Sequence, residues 1–228
     1  MSRRLAAVWA FTLLTLAGPL VRAQNPFPRD LIPTRTALAR LGLERQWFGV
    51  VPLNQSERVA KISRSSDLLF ALTDQGGLHT FDAETGKLLW SADLGGVTPY
   101  AHGVSSNSYM VFGTSGEQLS ALDRKTGRLM WRKSIDALPS CGTVADEDRV
   151  IVGTINGRVF SFKLRKENAK GAKEILSDPI EEFRWQTQGP VHTLPVIAAH
   201  MIAFGSSDGR VYVSMTDERT MLYRVRTG

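Results

Sequence analysis

The chain has 228 residues, 43% of them hydrophobic, with one cysteine and a formal net charge of +6. A chain of this length can bury a core, and a single cysteine excludes an internal disulfide. Three arginines, Arg3, Arg4 and Arg22, fall in a predicted leader, and without them Lys plus Arg drops from 28 to 25 against 22 acids, a net of +3. No basic run is interleaved with aromatics, so nucleic acid is not an expected partner.

Arg3 and Arg4 precede an apolar run from Leu5 to Leu16 that ends near Pro19, and the small residues Val21 and Ala23 follow. This layout predicts a signal peptide over residues 1–23 with cleavage after Ala23. The run is shorter than the roughly 20 apolar residues a span requires, so no transmembrane segment is expected in the mature form. A retained N-terminal anchor is the alternative. No cysteine stands directly after the predicted cleavage site, which argues against lipid attachment, and the expected location is periplasmic or secreted.

Residues 24–42 read as a linker with a short helix, and residues 43–228 as repeats. Leu43 to Val51 reads as the last strand of a repeat, because Trp47 lies one repeat length, 43 residues, before Trp90. The repeat itself is plain further on. The segment Phe81-Asp82-Ala83-Glu84-Thr85-Gly86-Lys87-Leu88-Leu89-Trp90 aligns with Leu122-Asp123-Arg124-Lys125-Thr126-Gly127-Arg128-Leu129-Met130-Trp131 at a spacing of 41. Upstream, four apolar blocks ending near Thr73, Thr114, Thr154 and Ser206 each lead into a glycine-bearing turn and an alternating strand. A period of two argues β structure, and a period near 40 argues four-stranded blades that bury their faces only by stacking on neighbours. In each unit the short Asp holds a turn, Gly closes it, and Trp enters the next strand. An all-β sandwich is the rival architecture, but it does not account for registered copies of one motif.

The two Asp-x-x-Thr-Gly-x-x-x-Trp copies resemble the PQQ-type repeat of quinoprotein β-propellers, which also builds the BamB-like outer-membrane assembly scaffolds. The similarity covers roughly Glu57 to Val225. It implies an all-β propeller of four-stranded antiparallel blades, near 57–95, 97–136, 139–188 and 190–226. It also implies that Trp90, Trp131 and Trp185 dock between adjacent blades. Asp82, Thr85, Gly86, Asp123, Thr126 and Gly127 are then the structural turn residues. Family rings usually have seven or eight blades, so four blades and a strand suggest a partial ring. A four-bladed ring or a two-chain assembly remains open.

Strands of the second repeat are expected near Tyr100 to Ser105, Ser108 to Gly113, Gln118 to Asp123 and Arg128 to Ser134. In the third repeat the turn gives way to a charged stretch, Arg165 to Glu182, which reads as a solvated loop with a helical turn near Ala172 to Leu176, or as a partner-binding loop. In the fourth, Tyr223 takes the Trp position.

The first strand of each blade lines the channel in propellers, which makes His102, Ser140, Cys141, His192 and Thr193 channel-lining candidates. The competing reading is that they are satisfied structural side chains. Quinoprotein enzymes stack their cofactor on a vicinal disulfide beside calcium, whereas this chain has no adjacent cysteines and no acidic cluster of calcium-loop spacing. No catalytic residue, metal or cofactor is therefore expected, with PQQ reserved for the alternative of a dehydrogenase fragment. The expected role is non-catalytic binding of a protein partner, possibly an envelope protein.

Overall fold

A computed structural model describes residues 32–96, 102–218 and 220–227. The predicted leader, and with it the cleavage site, lies outside the described residues. The chain divides into two compact units, residues 1–45 and 46–228. The described part of the first holds one helix, α1 (Arg35–Arg40), whose N-cap Thr34 accepts a hydrogen bond from Ala37 N through its hydroxyl at 3.2 Å.

Among the described residues the second unit contains four sheets, each antiparallel and four-stranded. The first is built from β1 (Val59–Ser65), β2 (Leu68–Thr73), β3 (Gly77–Asp82) and β4 (Leu88–Asp93). The second is β5 (Ser105–Ser106), β6 (Met110–Ser115), β7 (Gln118–Asp123) and β8 (Leu129–Ser134). The third is β9 (Val144–Ala145), β10 (Arg149–Gly153), β11 (Arg158–Glu167) and β12 (Lys173–Gln186). The fourth is β13 (Val196–Ala198), β14 (Met201–Ser206), β15 (Arg210–Met215) and β16 (Met221–Arg226).

Within each sheet the strands run in sequence order, and the innermost strands β1, β5, β9 and β13 meet one after another. The sheets are therefore successive blades of a propeller. Burial follows from that arrangement: β6 is buried on both faces, whereas β4 and β8 each bury only their Trp. Three apolar clusters fill the seams. The first joins Phe70, Leu78 and Trp90 to Val111, the second Phe112 and Trp131 to Val152 and Phe162, and the third Ile151 and Trp185 to Phe204 and Tyr212. An apolar face that no single sheet can cover is thus covered by its neighbour.

The turn chemistry repeats along with the sequence. Asp82 Oδ1 accepts from Thr85 N and Thr85 Oγ1 at 2.7 Å each, and Asp123 Oδ1 accepts from Thr126 N at 2.8 Å and Thr126 Oγ1 at 2.7 Å. Gly86 and Gly127 close these turns at φ of +69° and +71°, a region that side chains disfavour.

Three expectations need correction. Leu43 to Val51 forms no strand, because no neighbouring strand is there to complete a ladder among the described residues. Arg165 to Glu182 is neither loop nor helical turn: β11 and β12 extend into a long hairpin reversed at Asn168, whose Oδ1 accepts from Lys170 N and Ala172 N at 3.0 Å each. The first strand of the second blade is only Ser105–Ser106, and residues 97–101, with Tyr100, lie outside the described residues.

Candidate functional site

The inner strands are tied together by side chains. Ser63 Oγ accepts from Val104 N at 3.2 Å, Ser65 Oγ accepts from Ser106 N at 3.1 Å, and Ser105 shares a hydrogen bond with Thr143 at 2.9 Å. Short hydroxyls here satisfy backbone groups that a twisted, diverging pair of sheets cannot pair directly.

The five candidates of this region are used locally. His102 Nε2 pairs with Pro139 O at 2.9 Å, and Ser140 Oγ donates to Val191 O at 2.6 Å. Thr193 Oγ1 donates to Gly205 O at 3.0 Å and accepts from Gly205 N at 2.9 Å. His192 is exposed. Cys141 is buried in the seam between the third and fourth blades with its Sγ 3.8 Å from Gly153 O. Burial pushes its thiol up to about 11, so it stays protonated at neutral pH and is a poor nucleophile. Burial lowers the His102 pKa first of all, with the charges of Lys61 and His192 adding to the effect. The geometry brings His102 and His192 within electrostatic reach of each other and keeps Cys141 apart in an apolar seam.

The tryptophans sit in sockets of unequal quality. Trp90 Nε1 donates to Arg124 O at 2.9 Å, and a Cβ on Gly127 would come within 2.5 Å of its ring. Trp47 repeats this one blade earlier, donating to Ala83 O at 3.1 Å, with Gly86 as the close neighbour. It therefore docks as a last-strand Trp does, without being in a strand. Trp185 Nε1 donates to the buried Ser214 Oγ at 2.9 Å. Trp131 Nε1 is buried with no partner among the described residues. Its blade faces the hairpin that replaces the Asp-Thr-Gly turn, and no described atom there accepts its N–H. Tyr223 is 63% exposed.

The β11–β12 hairpin is the largest departure from the repeat. β12 is 14 residues long and lies at the sheet edge, with Ile175 and Ile180 half exposed. Ion pairs fix the hairpin: Arg165 and Lys173 to Asp148 at 3.0 and 2.7 Å, and Lys133 of the preceding blade to Asp178 at 3.0 Å. The Arg165 guanidinium also lies 5.4 Å from the Tyr109 ring centre. At the next seam, Arg149 joins Glu182 at 3.0 Å and Asp217 at 2.6 Å. Sequence reading missed this cluster because its members lie up to 68 residues apart. The hairpin itself carried a signal, the alternation of Lys163-Leu164-Arg165, which buries Leu164 and exposes its neighbours more.

The family profile described as "Outer membrane protein assembly factor BamB" matches residues 33–228. A curated relative, the dehydrogenase subunit of alcohol dehydrogenase (quinone) from Gluconobacter oxydans (strain 621H), is 38% identical over 74 residues, 28% of this chain and 10% of that protein. Among solved structures, BamB from Moraxella catarrhalis aligns with a TM-score of 0.54 at 15% identity, covering 70% of this chain and 50% of that one. The computationally designed Ika4 protein aligns with a TM-score of 0.57 at 15% identity, covering 73% and 96%. The likenesses at 15% identity concern the fold alone. The chain thus matches about half the length of the solved BamB and a tenth of the quinoprotein subunit.

Proposed function

This chain belongs to the outer membrane protein assembly factor BamB family, and from that premise we propose that it is an exported, non-catalytic scaffold that binds a protein partner at the cell envelope. The observation that supports this most is the β11–β12 hairpin. Its outer strand pairs only with β11 among the described residues and carries half-exposed isoleucines, so an extended segment of a partner could add to its free edge through main-chain hydrogen bonds. Among the described residues no helix is long and apolar enough to cross a membrane.

The test replaces residues 165–182 with an Asp-x-x-Thr-Gly turn copied from residues 123–127. The purified variant and the native protein are then compared for binding to the soluble portion of the host's outer-membrane assembly machinery. Loss of binding with a retained β-sheet spectrum supports the proposal. Native protein that does not bind, in a host whose outer-membrane proteins assemble normally without it, overturns it.

The quinoprotein likeness favours a second reading, part of a PQQ-dependent dehydrogenase. The residues present do not fit that cofactor well. Among the described residues no group of three or more His, Cys, Asp or Glu side chains could hold an ion, and the one cysteine is buried and has no cysteine neighbour. Equilibrium dialysis with PQQ and Ca²⁺ separates the two readings, since saturable uptake of both would favour the enzyme.

A further inference from the structure

Four cross-strand pairs occupy one place in the four blades, between the third strand and the last-strand residue that follows Trp90, Trp131, Trp185 or Tyr223. They are His79 with Ser91, Ser120 with Arg132, Arg158 with Gln186, and Tyr212 with Arg224. Three of the four contain an arginine, on the outer strand in the second and fourth blades and on the third strand in the third blade. In the second blade the Arg132 guanidinium fills the seam, with Nε donating to Ser120 Oγ at 3.1 Å and Nη2 donating to Leu94 O of the first blade at 2.9 Å. In the third blade the neighbouring pair on the same face sets Arg184 over Phe160 at 4.7 Å.

The first blade has Ser91 there, and a cavity of about 400 Å³ takes the arginine's place. Its lining includes Glu57, Gln75, His79, Ser91 and Asp93, two carboxylates and no Lys or Arg. Neither carboxylate is in an ion pair among the described residues. Glu57 accepts from Thr73 Oγ1 and from Asn54 N, and Asp93 accepts from Gly95 N. His79 is 7% exposed, its Nδ1 is 2.8 Å from Ser91 Oγ, and its buried Nε2 has no hydrogen-bond partner. An unpaired buried ring nitrogen costs free energy unless something else meets it.

We propose that this cavity binds a guanidinium group, which restores in the first blade what a built-in arginine supplies in the second. Glu57 and Asp93 balance its charge, and Nε2 of His79 accepts one N–H, which requires Nδ1 to carry the imidazole proton and donate to Ser91. Burial lowers the His79 pKa despite the nearby Glu57 charge, which keeps the ring neutral and able to accept. A planar donor set suits this arrangement better than a compact ammonium.

The test titrates the full chain with methylguanidinium while the His79 imidazole resonances are followed by NMR. Saturable shifts at about 1 mM, the range of fragment-sized ligands, are expected, and the neutral isostere N-methylurea should produce none. Ser91→Arg fills the cavity from within and should abolish the shifts. Glu57→Gln should weaken binding about tenfold, and it decides the matter if Ser91→Arg fails to fold. A Gly-Arg-Gly peptide that binds more tightly than methylguanidinium assigns the group to a partner's side chain, and equal affinity assigns it to a free small molecule. No saturable shift in the native protein, equal response to methylurea, or unchanged affinity in Glu57→Gln overturns the proposal.

Discussion

The seams on either side of the second blade are built from the same parts and are finished differently. At the first, Trp90 meets an Asp-Thr-Gly turn that offers space at Gly127 and a carbonyl at Arg124. At the second, Trp131 is just as deeply buried, against the base of a long hairpin, and its N–H goes unpaired. The difference shows that the apolar part of a Trp socket survives replacement of the turn, while its polar part depends on one backbone atom.

Gly127→Ala attacks the intact seam most directly. The new methyl would stand 2.5 Å from the Trp90 ring at a φ of +71°, and a loss of about 2–4 kcal/mol in chemical denaturation is expected from overpacking plus left-handed backbone strain. Ser214→Ala turns the third socket, at Trp185, into a copy of the second. Leaving a buried indole N–H unpaired should cost about 1–2 kcal/mol by the same measurement. Trp90→Phe and Trp131→Phe remove the same ring volume, but only the first strands an acceptor. Trp90→Phe should therefore be the more destabilising by about 1 kcal/mol, and equal losses would mean the Arg124 carbonyl contributes nothing.

The smallest effect concerns acid. The Thr126 hydroxyl and amide hold the Asp123 carboxyl below its ordinary pKa. A depressed folded-state pKa gives stability that is present above the unfolded value and lost as pH falls through the folded one. Asp123→Asn should accordingly be less stable than the native protein near neutral pH and converge with it in acid, as thermal melts across that range would show.

The two intact motif copies make the turns legible in the sequence, because Asp, Thr and Gly act on backbone atoms within five residues of one another. Trp90 and Trp131 were legible as seam residues for the same reason of register. The fate of each indole N–H was not, since its acceptor comes from the next blade, some 34 residues on for Trp90. The hairpin was misread because its charged residues look solvated in sequence, whereas pairing across Asn168 and ion pairs to Asp148 hold them extended. Trp47 was found by spacing alone, yet the strand expected around it does not form. A docked ring needs only a socket, and a strand needs a neighbour.

By itself the sequence determined local conformation and repetition: alternating strands, tight turns and a period that only stacked blades can satisfy. Tertiary structure decided which faces meet, and therefore that Ser91 leaves a cavity where Arg132 fills a seam, and that His102, Ser140 and Thr193 are engaged in hydrogen bonds. The division has a physical basis. Turn and strand preferences come from interactions a few residues apart, whereas each seam is formed by two sheets about forty residues distant, whose complementarity neither sheet specifies alone.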